Sequence, residues 1–282
     1  MLSVSDVLTY HFCKRKLFLG KILGVAIKEP RKVPFAGSIK HKVIEYVVNH
    51  EEAMVSEITA TSEHIEELYK HLFAKAIRLI LLQEKKTLAV LGMELGKVYQ
   101  EYIIQFSLLI EEKTVLLLGL IQKYQVYGKE LWEKLPKIKA EYAVISSELA
   151  LRGIIDELFF VDSLIIPYEL KTGAAPKEGV YEQHQLQFAL YILLLQEQYP
   201  QIDYGYVHYL QSNEKRKVQL NPFLKQAVLE LLMSTKLLLE KKVLPPYCEN
   251  KNKCNTCELK QYCYDESFMQ QKMDSLYSIR KI

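Results

Sequence analysis

Between Val7 and Lys28 the chain carries no acidic residue, and between Cys13 and Cys248 it carries no cysteine. No apolar run approaches the eighteen or more residues that a membrane span needs. The longest candidate, Val115 to Ile121, runs straight into Gln122 and Lys123. A global basic field is also missing: 37 Lys plus Arg stand against 34 Asp plus Glu, a net charge of +3. Any anionic partner must therefore be met by a local patch. The first twenty residues show no charged n-region ahead of an apolar core, which argues against a secretory signal and for a soluble, cytoplasmic protein. What the chain does have is the composition of a core former, with 49% hydrophobic and 25% charged residues over 282 positions. That excludes collagen-like, low-complexity and disordered classes and suits one large domain or two small ones.

The five cysteines are Cys13, Cys248, Cys254, Cys257 and Cys263. An odd count in a chain read as intracellular argues against a disulfide framework. Four of them lie in CENKNKCNTCELKQYC with the spacing C-x5-C-x2-C-x5-C. Thiolates gathered this closely point to a metal, either zinc or an iron–sulfur cluster.

The acid-free stretch holds Lys14, Arg15, Lys16, Lys21 and Lys28, interleaved with Tyr10, Phe12 and Phe18. Solvated helix faces normally mix both signs. Basic residues among aromatics instead suit a surface that tracks phosphates, with Lys14 and Arg15 as expected DNA contacts. Farther on, Ile65, Leu68, Leu72, Phe73, Ala76, Ile77 and Ile80 recur at three- and four-residue steps, which predicts an amphipathic helix. A second is expected at about Leu95 to Ile110, and residues 42–140 read as a helical insertion. From Glu141 the pattern turns to strands, EYAVISS and then LALRGIIDELFFVDSLIIPYELKTG. Asp162-Ser163 reads as the hairpin turn between two of them. A helix (GVYEQHQLQFALYILLLQEQ), a strand (DYGYVHYLQS) and a last helix from about Pro222 to Lys241 follow, and Pro245-Pro246 opens the cysteine tail. The expected fold class is α/β: a mixed central sheet flanked by helices, in one domain over residues 1–282.

With Asp162 and Ser163 at the turn, Val161 faces Leu164, and counting back sets Asp156 opposite Glu169, with Cβ atoms roughly 5 Å apart. Lys171 projects from the same face as Glu169. Two facing carboxylates repel, and a divalent cation with oxygen ligands relieves the repulsion. A lysine beside such a cation can orient or help deprotonate an attacking water, or stabilise an anionic transition state. An ordinary cross-strand salt bridge is the competing reading, and the apolar flanks GIID and LIIPYEL weigh against it.

GIID at Gly153 to Asp156, followed by ELK at Glu169 to Lys171, resembles the D…(D/E)-x-K core of the RecB-type nuclease superfamily, which has a restriction-endonuclease-like fold. Gly37 and His41 in AGSIKHKVIE match its glycine–histidine motif, and Gln187, Phe188 and Tyr191 match its Q-h-x-x-Y motif. An early cysteine in YHFCKRKLFL together with a C-terminal C-x2-C-x5-C narrows the resemblance to the CRISPR-associated exonuclease family Cas-four. Related iron–sulfur nucleases are fused to helicases, and this chain holds no G-x-x-x-x-G-K-[ST] phosphate loop.

The resemblance implies that His41, Asp156 and Glu169, with the backbone carbonyl of Leu170, bind Mn2+ or Mg2+, and that Lys171 activates water. It implies that Gln187 and Tyr191 contact DNA or position Lys171, with His184 as a further DNA contact on the same helix face. It gives Cys13, Cys254, Cys257 and Cys263 a [4Fe–4S] cluster, so that a segment of about 245–264 is tied to the N-terminal segment through Cys13. Cys248 is expected to stay outside. The implied activity is a metal-dependent 5′→3′ exonuclease on single-stranded DNA ends, acting in spacer-precursor processing during CRISPR adaptation. DNA and the CRISPR integrase complex are the implied partners; a homo-oligomer is allowed and no membrane is involved. One rival is a non-catalytic nucleic-acid adaptor with a metal-bound cysteine tail, which need not retain the full His, Asp, Glu and Lys set. The other is a cluster-containing redox or regulatory protein, for which the carboxylate hairpin has no evident purpose.

Overall fold

The computed structural model describes residues 1–278 apart from Lys28, residues 61–63 and Asp162. The chain opens with β1 (Leu2–Ser3), α1 (Val4–Phe12) and α2 (Lys14–Lys21). Ser3 caps α1 in a reciprocal box with Asp6, which starts the helix directly off the strand. Six helices follow: α3 (Lys32–Ser56), α4 (Ile65–Gln83), α5 (Lys85–Val90), α6 (Leu95–Gln105), α7 (Ser107–Tyr124) and α8 (Gly128–Lys134). The helical region thus begins ahead of His41, which sits within α3. The sheet strands are β2 (Lys137–Ser146), β3 (Leu151–Val161), β4 (Leu164–Lys171), β5 (Tyr204–Tyr209) and β6 (Glu214–Gln219), with α9 (Glu182–Gln196) crossing from β4 to β5. The chain ends with α10 (Pro222–Lys241), α11 (Lys251–Asn255), α12 (Lys260–Tyr264) and α13 (Glu266–Ser278). No helix among the described residues is long and apolar enough to cross a membrane.

The sheet is mixed, in the order β1-β3-β4-β5-β6, with β2 along the other edge of β3. The hairpin register is the one expected from a two-residue turn: Val161 pairs with Leu164 and Glu157 with Tyr168; Asp162 of that turn lies outside the described residues. Antiparallel pairing gives way to parallel pairing at β4 and β5, which is what a helical crossover produces. The apolar stripe of α4 buries Tyr69, Phe73, Ala76, Ile77 and Leu81 in one core beneath the helical region. A second core lies between the sheet and α1, α9 and α10. Two glycines let α9 approach the sheet. A Cβ at Gly153 would sit 2.7 Å from the Tyr191 ring, and one at Gly205 would sit 2.5 Å from the Phe188 ring. Gly153 opens the GIID segment because Tyr191 occupies the space of its missing side chain.

Candidate active site

The carboxylates sit where two strands roll over. In the β2–β3 ladder Ala140 pairs with Glu157 and Tyr142 with Ile155. Between them Glu141 stands at φ 49°, a left-handed conformation that costs a non-glycine residue about 1 kcal/mol or more. Ile138 and Ala140 pack on the helical core, yet Tyr142 and Val144, of the same parity, pack on the α9 core. A regular strand keeps one parity on one face, so Glu141 turns β2 over. Across from it, Ile155 and Leu158 of β3 both face the α9 core, so β3 turns over at Asp156. The two opposed carboxylates therefore project into the seam between the cores.

Residue His41, on α3, completes the group. Its Nδ1 lies 3.0 Å from Asp156 Oδ1 and 3.9 Å from Glu141 Oε1. Donor atoms of His41, Glu141 and Asp156 all lie within 4.8 Å of one another. Burial disfavours the imidazolium, but hydrogen bonds to Asp156 and Glu141, and the charges of Asp156 and Glu169, push the His41 pKa up to about 10.

The β3–β4 ladder stops at Glu157↔Tyr168, one pair short of Asp156 and Glu169. Instead of a backbone carbonyl, the Asp156 carboxylate accepts the Leu170 N–H, at 2.6 Å. Glu169 is 3% exposed. Its Oε1 accepts from Lys171 Nζ at 2.8 Å and from Gln187 Nε2 at 2.6 Å. Its Oε2 is buried without a hydrogen-bond partner. Buried polar atoms are nearly always paired, so this oxygen calls for a ligand that the side chains do not supply. A divalent cation held by oxygen and imidazole ligands fits that donor set. Burial and the Asp156 charge, opposed by Lys171, push the Glu169 pKa up to about 8.

Helix α9 secures the lysine. Gln187 accepts from Lys171 Nζ at 2.7 Å and donates to the Tyr191 hydroxyl at 3.1 Å. His184 lies beyond, its Nδ1 3.0 Å from the Tyr209 hydroxyl. Burial and the neighbouring Lys171 lower its pKa to about 4, so it is neutral at physiological pH.

The N-terminal basic residues divide. Lys14 is exposed, its ammonium over the Tyr10 ring. Arg15, expected to contact DNA, is instead turned inward and is 6% exposed. Its Nη1 donates to the Pro245 carbonyl at 2.7 Å, its Nε to Cys263 Sγ at 3.2 Å, and its guanidinium covers the Tyr247 ring. The planar guanidinium thus engages the cysteine tail.

All five cysteines line one small apolar chamber, with Phe12, Leu19 and Leu259. Cys248, expected apart from the rest, lines it too, because the segment after Pro246 folds back over α2. None of the five forms a disulfide. Cys13 Sγ accepts the Lys16 N–H at 3.4 Å, and burial raises the Cys13 and Cys257 thiols. An all-sulfur donor set suits a soft metal centre.

Glu141 is a candidate ligand that the sequence does not single out. Counting back along the β2–β3 ladder sets it opposite Asp156, but the apolar alternation of Ile138, Ala140, Tyr142 and Val144 runs unbroken through it and leaves no trace of the turn-over in the sequence.

The PD-(D/E)XK nuclease superfamily model matches residues 1–264. The chain is 30% identical over 126 residues to a Leptospira interrogans protein named CRISPR-associated exonuclease Cas4/endonuclease Cas1 fusion, covering 43% of this chain and 23% of that protein. It is 30% identical over 129 residues to CRISPR-associated exonuclease Cas4 of Rhodospirillum rubrum, covering 45% and 39%. With the Cas4 of Thermoproteus tenax it shares 25% identity over 127 residues, covering 44% and 65%. These matches span less than half of this chain and less than two thirds of each relative. With the family model matching nearly its whole length, the chain belongs to the PD-(D/E)XK nuclease superfamily, as a Cas4-like nuclease.

Proposed function

We propose that the chain hydrolyses DNA phosphodiesters at the His41, Asp156, Glu169 and Lys171 centre, degrading single-stranded DNA from a 5′ end. The observation that carries this reading is the orphaned Oε2 of Glu169 beside the His41, Glu141 and Asp156 group. His41, Asp156, Glu169 and the Leu170 backbone carbonyl would hold Mn2+ or Mg2+, with Glu141 as an added oxygen donor. When bound, the cation supplies Lewis-acid polarisation of the phosphate and an acidified water. Lys171, fixed between Glu169 and Gln187, offsets the negative charge that grows on the phosphorane. Gln187, braced by Tyr191, holds that ammonium in place. Asp156 keeps its orientation through the Leu170 N–H. Because Glu169 is buried, its charge acts on the centre with little screening by water.

The cysteine chamber is assigned a [4Fe–4S] cluster held by Cys13, Cys254, Cys257 and Cys263. The convergence of the distant Cys13 with the C-x2-C-x5-C run on one chamber supports a cluster over a local zinc knuckle. The proposed place of this activity is CRISPR adaptation, and the Leptospira relative, whose name joins Cas4 to the endonuclease Cas1, supports a CRISPR setting. Incubating the protein with Mn2+ and strands labelled at either end tests the activity. Early release of 5′-terminal label as short products supports it. Binding without cleavage of either strand contradicts it.

A further inference from the structure

Lys40, one residue before His41 on α3, is 9% exposed. Its ammonium makes a 3.5 Å hydrogen bond to the Thr172 carbonyl, and no carboxylate pairs with it among the described residues. Lys137 likewise donates to a carbonyl, that of Trp132, but its ammonium also lies over the Trp132 ring, and two other inward-facing lysines have carboxylates. Lys113 reaches both oxygens of Glu51, at 2.9 and 3.1 Å, and Lys171 reaches Glu169. Lys40 thus carries a partly buried ammonium to one distant carbonyl, without a carboxylate partner among the described residues.

The space it faces has room for one. A cleft of about 370 Å³ opens between α3, the α6–α7 corner and the ends of β4 and β5, at the small end of the range typical of ligand sites. Phe106 and Leu210 are its buried apolar walls, while Gln105, Thr172 and Gln211 bring donors to its rim. No acidic residue lines it among the described residues. Thr172 directly follows Lys171, and Glu169 to Thr172 spans about 10 Å along an extended chain. The cleft therefore neighbours the reacting centre without being part of it.

We propose that this cleft is a phosphate-binding pocket, with Lys40 as its charge and Thr172, Gln105 and Gln211 as its donors, and that it holds a phosphate of the substrate strand other than the one cleaved. The identity of the ligand as substrate rests on the nuclease reading; the anion site itself does not. An ammonium in low-dielectric surroundings binds a phosphate oxygen more strongly than a surface lysine does.

The test has two arms. Thermal unfolding of the full chain is measured in chloride buffer with and without excess inorganic phosphate, for wild type, Lys40→Met and Gln211→Glu. Phosphate should raise the wild-type midpoint and leave Lys40→Met unmoved. Without phosphate, Lys40→Met should melt above wild type, since methionine fills the same space without a charge. Gln211 is exposed, so Gln211→Glu keeps the fold and should lose the phosphate response by repulsion. Equal phosphate responses in all three proteins, or Lys40→Met melting below wild type, would overturn the site.

The second arm measures cleavage of 5′-phosphorylated, 5′-hydroxyl and circular single strands with Mn2+. Lys40→Met should raise KM by about tenfold, the effect of losing one charge-assisted hydrogen bond, and should lower kcat much less. A KM effect confined to the 5′-phosphorylated strand assigns the terminal phosphate, and an equal effect on all three assigns an internal one. Unchanged KM throughout overturns the substrate assignment. Inactivity of wild type and variant alike would count against the nuclease reading and leave the unfolding result standing.

Discussion

The carboxylate centre and the cysteine chamber are built in opposite ways. The first draws His41, Glu141, Asp156 and Glu169 from one helix and three neighbouring strands, locked between the two largest cores. The second draws Cys13 and residues 248–263 from the two ends of the chain, beside a small core of Phe18, Leu19, Leu23, Val25, Leu259 and Met269. The sheet preorganises the carboxylates at the cost of backbone strain and charge repulsion. Little apolar burial holds the chamber's donors together, so a bound metal group would supply much of the local stability. Losing a ligand should thus remove chemistry from one site and structure from the other.

The sharpest test of this contrast is Asp156→Ala. Cleavage should fall at least about a thousandfold, as when a metal-centred transition state loses its main electrostatic support. The metal-free melting midpoint should change little, because relief of the repulsion with Glu169 is offset by the loss of the carboxylate that pairs with the Leu170 N–H and His41. A variant that melts far below wild type would mean that the carboxylates stabilise the fold. Lys171→Ala should lower the rate by roughly a hundredfold with Mn2+ affinity kept, as rate and affinity on one preparation will reveal. Lost affinity with an unchanged rate at saturating Mn2+ would reduce Lys171 to a salt-bridge partner.

Cysteine variants should behave in the other manner. Cys13→Ser should lose the brown colour and iron of the proposed cluster, and limited proteolysis should then clip the terminal segments while the sheet survives. Cys248→Ser should keep about four irons per chain. Iron content after oxygen-free purification decides between them, and a colourless Cys248→Ser beside a brown Cys13→Ser would exchange their roles.

The smallest effect concerns pH. In the folded, metal-free protein His41 titrates near 10 instead of 6.5, and Glu169 near 8 instead of 4.5. Both hold a proton more tightly when folded, so the stability they confer is complete below the unfolded values and is lost as pH rises through about 8 and then about 10. Chelator-treated protein should therefore melt progressively lower across that window. Saturating Mn2+, which takes the place of those protons, should flatten the slope. A midpoint that climbs with pH in the metal-free protein would contradict the assigned protonation.

Much of the centre was legible because a two-residue turn pins register: Val161 opposite Leu164 carries the count to Glu157 and Tyr168, and alternation sets Lys171 on the face of Glu169. The mutual position of Asp156 and Glu169 was only partly legible, since the ladder ends before them and the Leu170 N–H turns to the Asp156 side chain. Glu141 escaped notice because a left-handed residue in mid-strand has no residue-type signature when it is not glycine. The inward placement of Arg15 is not legible either: its position in a basic stretch says nothing of the Pro245 carbonyl more than two hundred residues away. Long-range packing also brings Cys248 into the chamber, beyond the reach of local spacing.

Equilibrium Mn2+ binding to wild type and Glu169→Gln tests the central claim most directly, because the substitution keeps shape and removes only the charge beside the orphaned oxygen. The account predicts a Mn2+ site in wild type that is lost or greatly weakened in Glu169→Gln, with both proteins folded. Equal affinity and equal cleavage in the two would contradict it.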